Sequence, residues 1–281
     1  MDIRNRTVLV LGGWGLVGSA LCRKLVDERP KRIIVTSLVK YEAEEAVATL
    51  QREFPHVPKA FFTPWWGNIF VRNELKDSSR DQILTNPKTR RKFIDDILDE
   101  LSDDLLQHST IYHLLKRYKP DIIIDSINSA TAIAYQDIFQ GARDVLRKID
   151  AVSAGTAKAA ELTLATERLL CTLYTPQLIR HVQILYRSME VFGTSLYLKI
   201  GTSGTGGMGL NIPYTHSEER PSSVLLGKSA VAGAHSMLLF LMGRTPGSAI
   251  TKEIKPTAAI AWKKIGYGEI RRRGKPIELV D

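Results

Sequence analysis

The chain of 281 residues carries a formal charge of +9, and it is 44% hydrophobic and 25% charged, the balance of a folded globular protein rather than a disordered one. Two cysteines, Cys22 and Cys171, are too few for a disulfide scaffold, the six histidines form no HExxH pattern, and the basic residues are dispersed between "RRK" at 90–92 and "RRRGK" at 271–275. A reducing, cytoplasmic setting is expected, with no metal site and no nucleic-acid partner.

The N-terminal "MDIRNR" runs without a small-residue cleavage site into "TVLVL" (7–11), a strand, so no secretory leader is expected. The apolar stretch from Thr7 to Cys22 is shorter than the roughly 18–20 residues that span a bilayer, and no membrane segment is expected. Within it Gly12, Gly15 and Gly18 follow the strand and open an amphipathic helix at about 16–28. Missing side chains close such a turn, admit a diphosphate to the backbone amides and let the helix pack on the strand; a purely structural turn is the alternative. Strands at 32–37, 60–64, 121–126 and 195–201 then alternate with helices at about 41–53, 91–118, 156–190 and 223–243.

Nearly continuous apolar strands separated by helices predict an α/β protein, a Rossmann-like doubly wound parallel sheet with helices on both faces. Residues 1–245 are read as the dinucleotide-binding domain, with an insertion at about 65–104, and 246–281 as a small C-terminal extension or part of a substrate cap. The carboxylates of "IDD" and "SDD" in the insertion are expected on a solvated helix face. A parallel sheet binds ligands at the carboxyl ends of its strands, which would bring Gly12, Ser37, Asn128 and Thr202 to one crevice.

The stretch "LGGWGLVGSAL" resembles the N-terminal fingerprint of the short-chain dehydrogenase/reductase superfamily, in its extended, nucleotide-sugar epimerase/dehydratase-like type. "YKPDIIIDSINSATA", "SLYLKIGTSGTGGMG" and "HSEERPSSVLLGKSAVAGAHSMLLF" are similar to its fourth strand, its fifth strand with a serine-bearing loop, and its active-site helix. The resemblance, from about residue 5 to 245, implies NADP or NAD as cofactor, held by Gly12, Gly13, Trp14, Gly15, Leu16, Val17 and Gly18. Thr36 and Ser37 stand where the family ends its second strand on an acidic residue, and Lys40 lies just beyond; the missing carboxylate favours the 2'-phosphate of NADP, with an unselective pocket as the alternative. Asn68 and Ile69 fall in the loop over the adenine, where the amide of Asn68 replaces an aspartate. Trp65 and Trp66 are read as packing residues. Asn128, Ser129 and Thr202 would line the nicotinamide end.

The resemblance breaks at the proton relay. The family's chemistry needs a tyrosine and, four residues later on one helix face, a lysine. Lys228 suits the lysine, but the position four before it is Val224, which relays no proton. Tyr112 and Lys116 have the spacing on the wrong helix. Ser203 and Thr205 would polarise a carbonyl, or else bond their own backbone; Tyr214, with His216, Glu218 and Glu219 nearby, is the substitute acid, and Lys228 a ribose or phosphate contact. Two functions are expected: an NAD(P)-dependent oxidoreductase or epimerase/dehydratase-like enzyme acting on a small carbonyl or alcohol substrate such as a nucleotide sugar, or a catalytically silent NAD(P)-binding sensor or scaffold. The resemblance also implies a homodimer through the two long helices.

Overall fold

The computed structural model describes residues 2–128, 138–201, 223–254, 271–272 and 275–276; at 223–226, 228–229 and the last two pairs it describes the backbone. The apolar, β-branched runs form β1 (Thr7–Leu11), β2 (Arg32–Ser37), β3 (Phe62–Trp66), β4 (Ile122–Asp125) and β5 (Leu196–Ile200), and β6 (Ile250–Ile254) completes a parallel sheet in the order β3-β2-β1-β4-β5-β6. Arg271–Arg272 (β7) and Lys275–Pro276 (β8) pair separately as an antiparallel ribbon.

The third strand starts two residues later than expected, and its Pro64 is tolerated because β3 lies at the sheet edge, where one side of the strand needs no donors. Within the stretch read as a C-terminal extension, Ile250–Ile254 forms this sixth strand and pairs along its length with Leu196–Ile200. Its sequence, ITKEI, has no buried-strand signature because it too is an edge strand and mostly exposed.

Both faces of the sheet are covered. Val8, Val10, Ile33, Val35, Ile122 and Ile124 pack under α1 (Leu16–Asp27) and α2 (Lys40–Glu53), through Cys22, Leu25, Val47 and Leu50. Alternate residues Leu9, Leu11, Ile34, Ile123 and Tyr197 face the other way, onto α6 (Thr110–Tyr118), α9 (Tyr174–Phe192) and α10 (Ser223–Arg244). This is the Rossmann-like doubly wound arrangement, and strand order reverses beside β1, between β1 and β4, the position at which such sheets open a ligand crevice.

The helix expected over 91–118 is broken into pieces, and a further short helix precedes it. Arg80–Thr85 (α3), Pro87–Leu98 (α4), Asp103–His108 (α5) and α6 each begin where a polar side chain takes the first free amides: Ser79, then Asn86 ahead of Pro87, then Ser102, then Ser109. A helix not expected from the sequence spans Ile138–Ser153 (α7), and the helix expected over 156–190 is resolved into Ala159–Leu170 (α8) and α9, which ends at Gly193 with φ +72°. The insertion has its own core of Val71, Leu75, Ile83, Phe93, Ile94 and Ile97 around Cys171. Asp96 is not on a solvated face: its side chain is 13% exposed and pairs with Arg72 at 2.7 Å.

Candidate functional site

The turn after β1 is closed by its glycines. A Cβ on Gly18 would stand 2.1 Å from the Gly12 carbonyl oxygen, one on Gly13 would stand 2.6 Å from Val35 Cγ1, and Gly12 itself sits at φ +77°. The Gly13 amide donates to the Thr36 carbonyl at 2.7 Å, tying the turn to the end of β2. No side chain caps α1 at Gly15, and Trp14, Leu16 and Val17 turn their side chains to solvent. The first amides of a helix have no carbonyl partner within it, so this uncapped end is suited to an anion.

The turn opens into a crevice of about 450 Å3, inside the roughly 300–1,000 Å3 of small-molecule and cofactor sites. Gly12, Trp14 and Gly15 line one wall; Ser37 closes β2, Asn68 and Ile69 follow β3, and Ser126 and Ile127 follow β4. Four strand ends therefore converge; of the four residues expected at one crevice, Gly12 and Ser37 line it, Asn128 is not in its lining, and Thr202 lies outside the described residues. Asn68 Oδ1 accepts the Phe70 amide at 2.9 Å and so shapes its own loop. Trp65 is buried in the core, and the ammonium groups of Lys40 and Lys76 lie 5.3 and 5.5 Å from the centre of the Trp66 ring.

At the end of β2 the charge pattern differs from the one expected. Ser37 Oγ donates to the carboxylate of Glu42, which the first turn of α2 brings back to the strand end. Lys40, expected as a phosphate partner, lies 3.7 Å from Glu44, and neither it nor Glu42 is in the crevice lining itself. A carboxylate thus stands at the end of β2 after all, supplied from the helix.

Beneath the fourth strand end lies a buried polar cluster. Lys199 Nζ is 3.0 Å from Asp125 Oδ2, Tyr197 Oη donates to the same oxygen at 2.7 Å, and the Ile127 amide donates to Asp125 Oδ1 at 2.9 Å. Lys199 also donates to the Ile127 carbonyl at 2.5 Å, and Ser126 Oγ to the Leu11 carbonyl at 2.8 Å, so the turn that lines the crevice is laced from below. Burial by itself would raise the Asp125 pKa, but the Lys199 charge and the hydrogen bonds hold it below the ordinary carboxylate range. Burial first, and then the Asp125 charge, push Tyr197 well above the usual phenol range. Burial pushes His181, whose ring lies on α9 next to Phe70, down to about 4.

Sequence reasoning passed over Glu42, Asp125, Tyr197 and Lys199. The signal available for two of them was a charge within an apolar strand: Asp125 ends "IIID" and Lys199 interrupts "LYLKI". Of the expected catalytic and nicotinamide residues, Ser129, Thr202, Ser203, Thr205 and Tyr214 lie outside the described residues, as do His216, Glu218 and Glu219. Asn128 is described and exposed, and Lys228 and Val224 occupy the beginning of α10. Among the described residues no group of three or more His, Cys, Asp or Glu could hold a metal ion, and no helix is long and apolar enough to cross a membrane.

No protein-family model matches the chain, and no curated protein sequence does. Solved structures do. UDP-glucose 4-epimerase from Thermotoga maritima, solved with UDP-glucose, is 14% identical over 86% of this chain and 52% of that one, with a TM-score of 0.39. dTDP-glucose 4,6-dehydratase from Bacillus anthracis, solved in complex with NAD, is 14% identical over 88% and 53%, with a TM-score of 0.38. A short-chain dehydrogenase/reductase from Serratia marcescens is 11% identical over 91% and 75%, with a TM-score of 0.44. The chain spans about half the length of the two nucleotide-sugar enzymes.

Proposed function

We propose that the crevice binds a nicotinamide dinucleotide and that the protein is an NAD(P)-dependent oxidoreductase or epimerase/dehydratase-like enzyme acting on a carbonyl or alcohol. The reading is carried by the uncapped start of α1, opening through a turn that tolerates no side chain at Gly18 onto a crevice at the reversal of strand order. The residues fit the coenzyme: the Gly12–Gly18 turn would hold the diphosphate, Ser37 and Asn68 the adenosine, and Ser126, Ile127 and Asn128 the nicotinamide half. When bound, the coenzyme supplies the hydride acceptor or donor. Glu42 would accept from ribose hydroxyls and oppose a 2'-phosphate, which supports NAD over NADP. Ser203 and Thr205 are assigned to polarising the substrate oxygen, Tyr214 to proton transfer and Lys228 to the ribose.

Val224, where the lysine's partner tyrosine would stand, supports a second reading, a catalytically silent coenzyme sensor or scaffold. Calorimetric titration with NADH and NADPH, followed by hydride transfer to aldehydes, ketones and nucleotide sugars, decides the matter. Binding with turnover supports the enzyme, binding without turnover the sensor, and no binding retires both. A cytoplasmic homodimer belongs to the same proposal; it would use the exposed Met237, Phe240 and Leu241 of α10, and a monomeric mass at micromolar concentration would refute it.

A further inference from the structure

A second cavity, of about 40 Å3, lies behind the crevice and shares Ile69, Phe70, Val71, Phe93 and Gln177 with it. Its polar lining is unusual. Arg180 and His181, consecutive on α9, are 8% and 4% exposed. One amino group of Arg180 donates to the Asp99 carbonyl, but its Nε and Nη1 have no hydrogen-bond partner, and neither do both ring nitrogens of His181. These are four of the seven buried side-chain nitrogen and oxygen atoms without a partner among the described residues, and all four belong to the lining of one cavity.

Leaving a buried guanidinium N–H unpaired is costlier than leaving a neutral donor unpaired, because the desolvated charge is uncompensated. The carboxylate in the lining, Asp96, is already taken by Arg72 at 2.7 Å. An acceptor would satisfy these donors, and one that carries negative charge would also offset the desolvated guanidinium. A water needs about 10–15 Å3 of such space, so the cavity takes about three non-hydrogen atoms, the size of a carboxylate.

We propose that the inner cavity is a carboxylate subsite, in which Arg180 and His181 take a carboxylate borne by the molecule in the crevice. The inference rests on the reading of the crevice as the ligand site, and it narrows the substrate to carbonyl or alcohol compounds that also carry a carboxylate. His181, held neutral by burial, donates one N–H and keeps one acceptor nitrogen.

The test uses the full chain with labelled histidine, titrated at pH 7 with acetate, with the uncharged isostere acetamide, and with levulinate, whose ketone lies beyond its carboxylate. Acetate should shift the His181 ring resonances and acetamide should not. Levulinate should bind about tenfold tighter than acetate, the effect of burying two further methylenes. R180M should weaken acetate binding about tenfold or more while melting no lower than the wild type, because a desolvated charge with two unpaired donors has been removed. Unmoved His181 resonances, or equal responses to acetate and acetamide, overturn the subsite; equal affinity for acetate and levulinate overturns its connection to the crevice. These last readouts are made on the wild-type chain and do not depend on the variant folding. NADH binding is measured separately: NADH bound with His181 silent sinks the subsite alone, and His181 shifted without NADH binding sinks the dinucleotide reading alone.

Discussion

Lys199 Nζ and Asp125 Oδ2 meet at 3.0 Å across directly paired positions of β5 and β4, with side chains only 4% and 1% exposed. Removing one member of such a pair strands the other charge, which costs about 3–5 kcal/mol, whereas an apolar replacement of both costs far less. K199M should therefore destabilise strongly, and D125L/K199M should recover much of the loss. Urea denaturation of the single and double variants measures both.

The same pair has a pH signature. In the wild type the Asp125 carboxyl is depressed, so its contribution is complete above the unfolded pKa, about 3.9, and is lost only as pH falls through the lower folded value. In K199M burial remains without the ammonium, and the carboxyl pKa rises instead. Its contribution is then present below about pH 4 and lost as pH rises. The stability gap between K199M and wild type should widen from pH 4 to pH 7; a gap that narrows refutes this account.

Glycine substitutions should separate the turn from ordinary helix positions. At Gly18 an added methyl meets backbone at 2.1 Å, so G18A should lose several kcal/mol or fail to fold. At Gly233, within α10, nothing lies within 4 Å of the added atom, and G233A should gain about 0.5–1 kcal/mol from helix propensity. Thermal melts of the two variants check the contrast.

Glu42 should set coenzyme preference. E42Q keeps a hydrogen-bonding group beside Ser37 but removes the charge that opposes a 2'-phosphate. The ratio of NADPH to NADH affinity should rise about tenfold in E42Q, the effect of roughly 1.4 kcal/mol. Calorimetry with both coenzymes reads it, and an unchanged ratio removes Glu42 from that role.

What the sequence revealed follows from how each feature is built. β1 and β2 are buried on both faces, so Val8–Leu11 and Ile33–Val35 appear as unbroken apolar runs. Ile250–Ile254 is an edge strand and carries no such run. The glycine turn was legible because a backbone constraint admits one residue type, while the cap residues Ser102 and Ser109 stood inside a helical period that masked them. Glu42 reaches Ser37 through the start of a helix, and Asp125 meets Tyr197 and Lys199 through strand register; neither relation has a local pattern. Arg180 and His181 look like ordinary helix residues until the fold surrounds them.

The two cysteines should report the two cores separately. Cys22 is fully buried on the inner face of α1, and burial pushes its thiol up to about 12; Cys171 is fully buried in the core of the insertion, and burial pushes it up to about 11. Alkylation needs the thiolate, so in the native protein both should react orders of magnitude more slowly than an exposed thiol. The insertion core is the smaller of the two and is joined to the rest through Arg80, which donates to the Cys171 carbonyl at 2.8 Å, and through the Arg90–Glu167 pair at 2.7 Å. Local opening takes the smaller unit first. In rising urea, mass spectrometry after iodoacetamide pulses should therefore find Cys171 modified before Cys22, with Cys22 tracking the loss of the sheet. Simultaneous labelling would mean that the insertion and the sheet open as one unit.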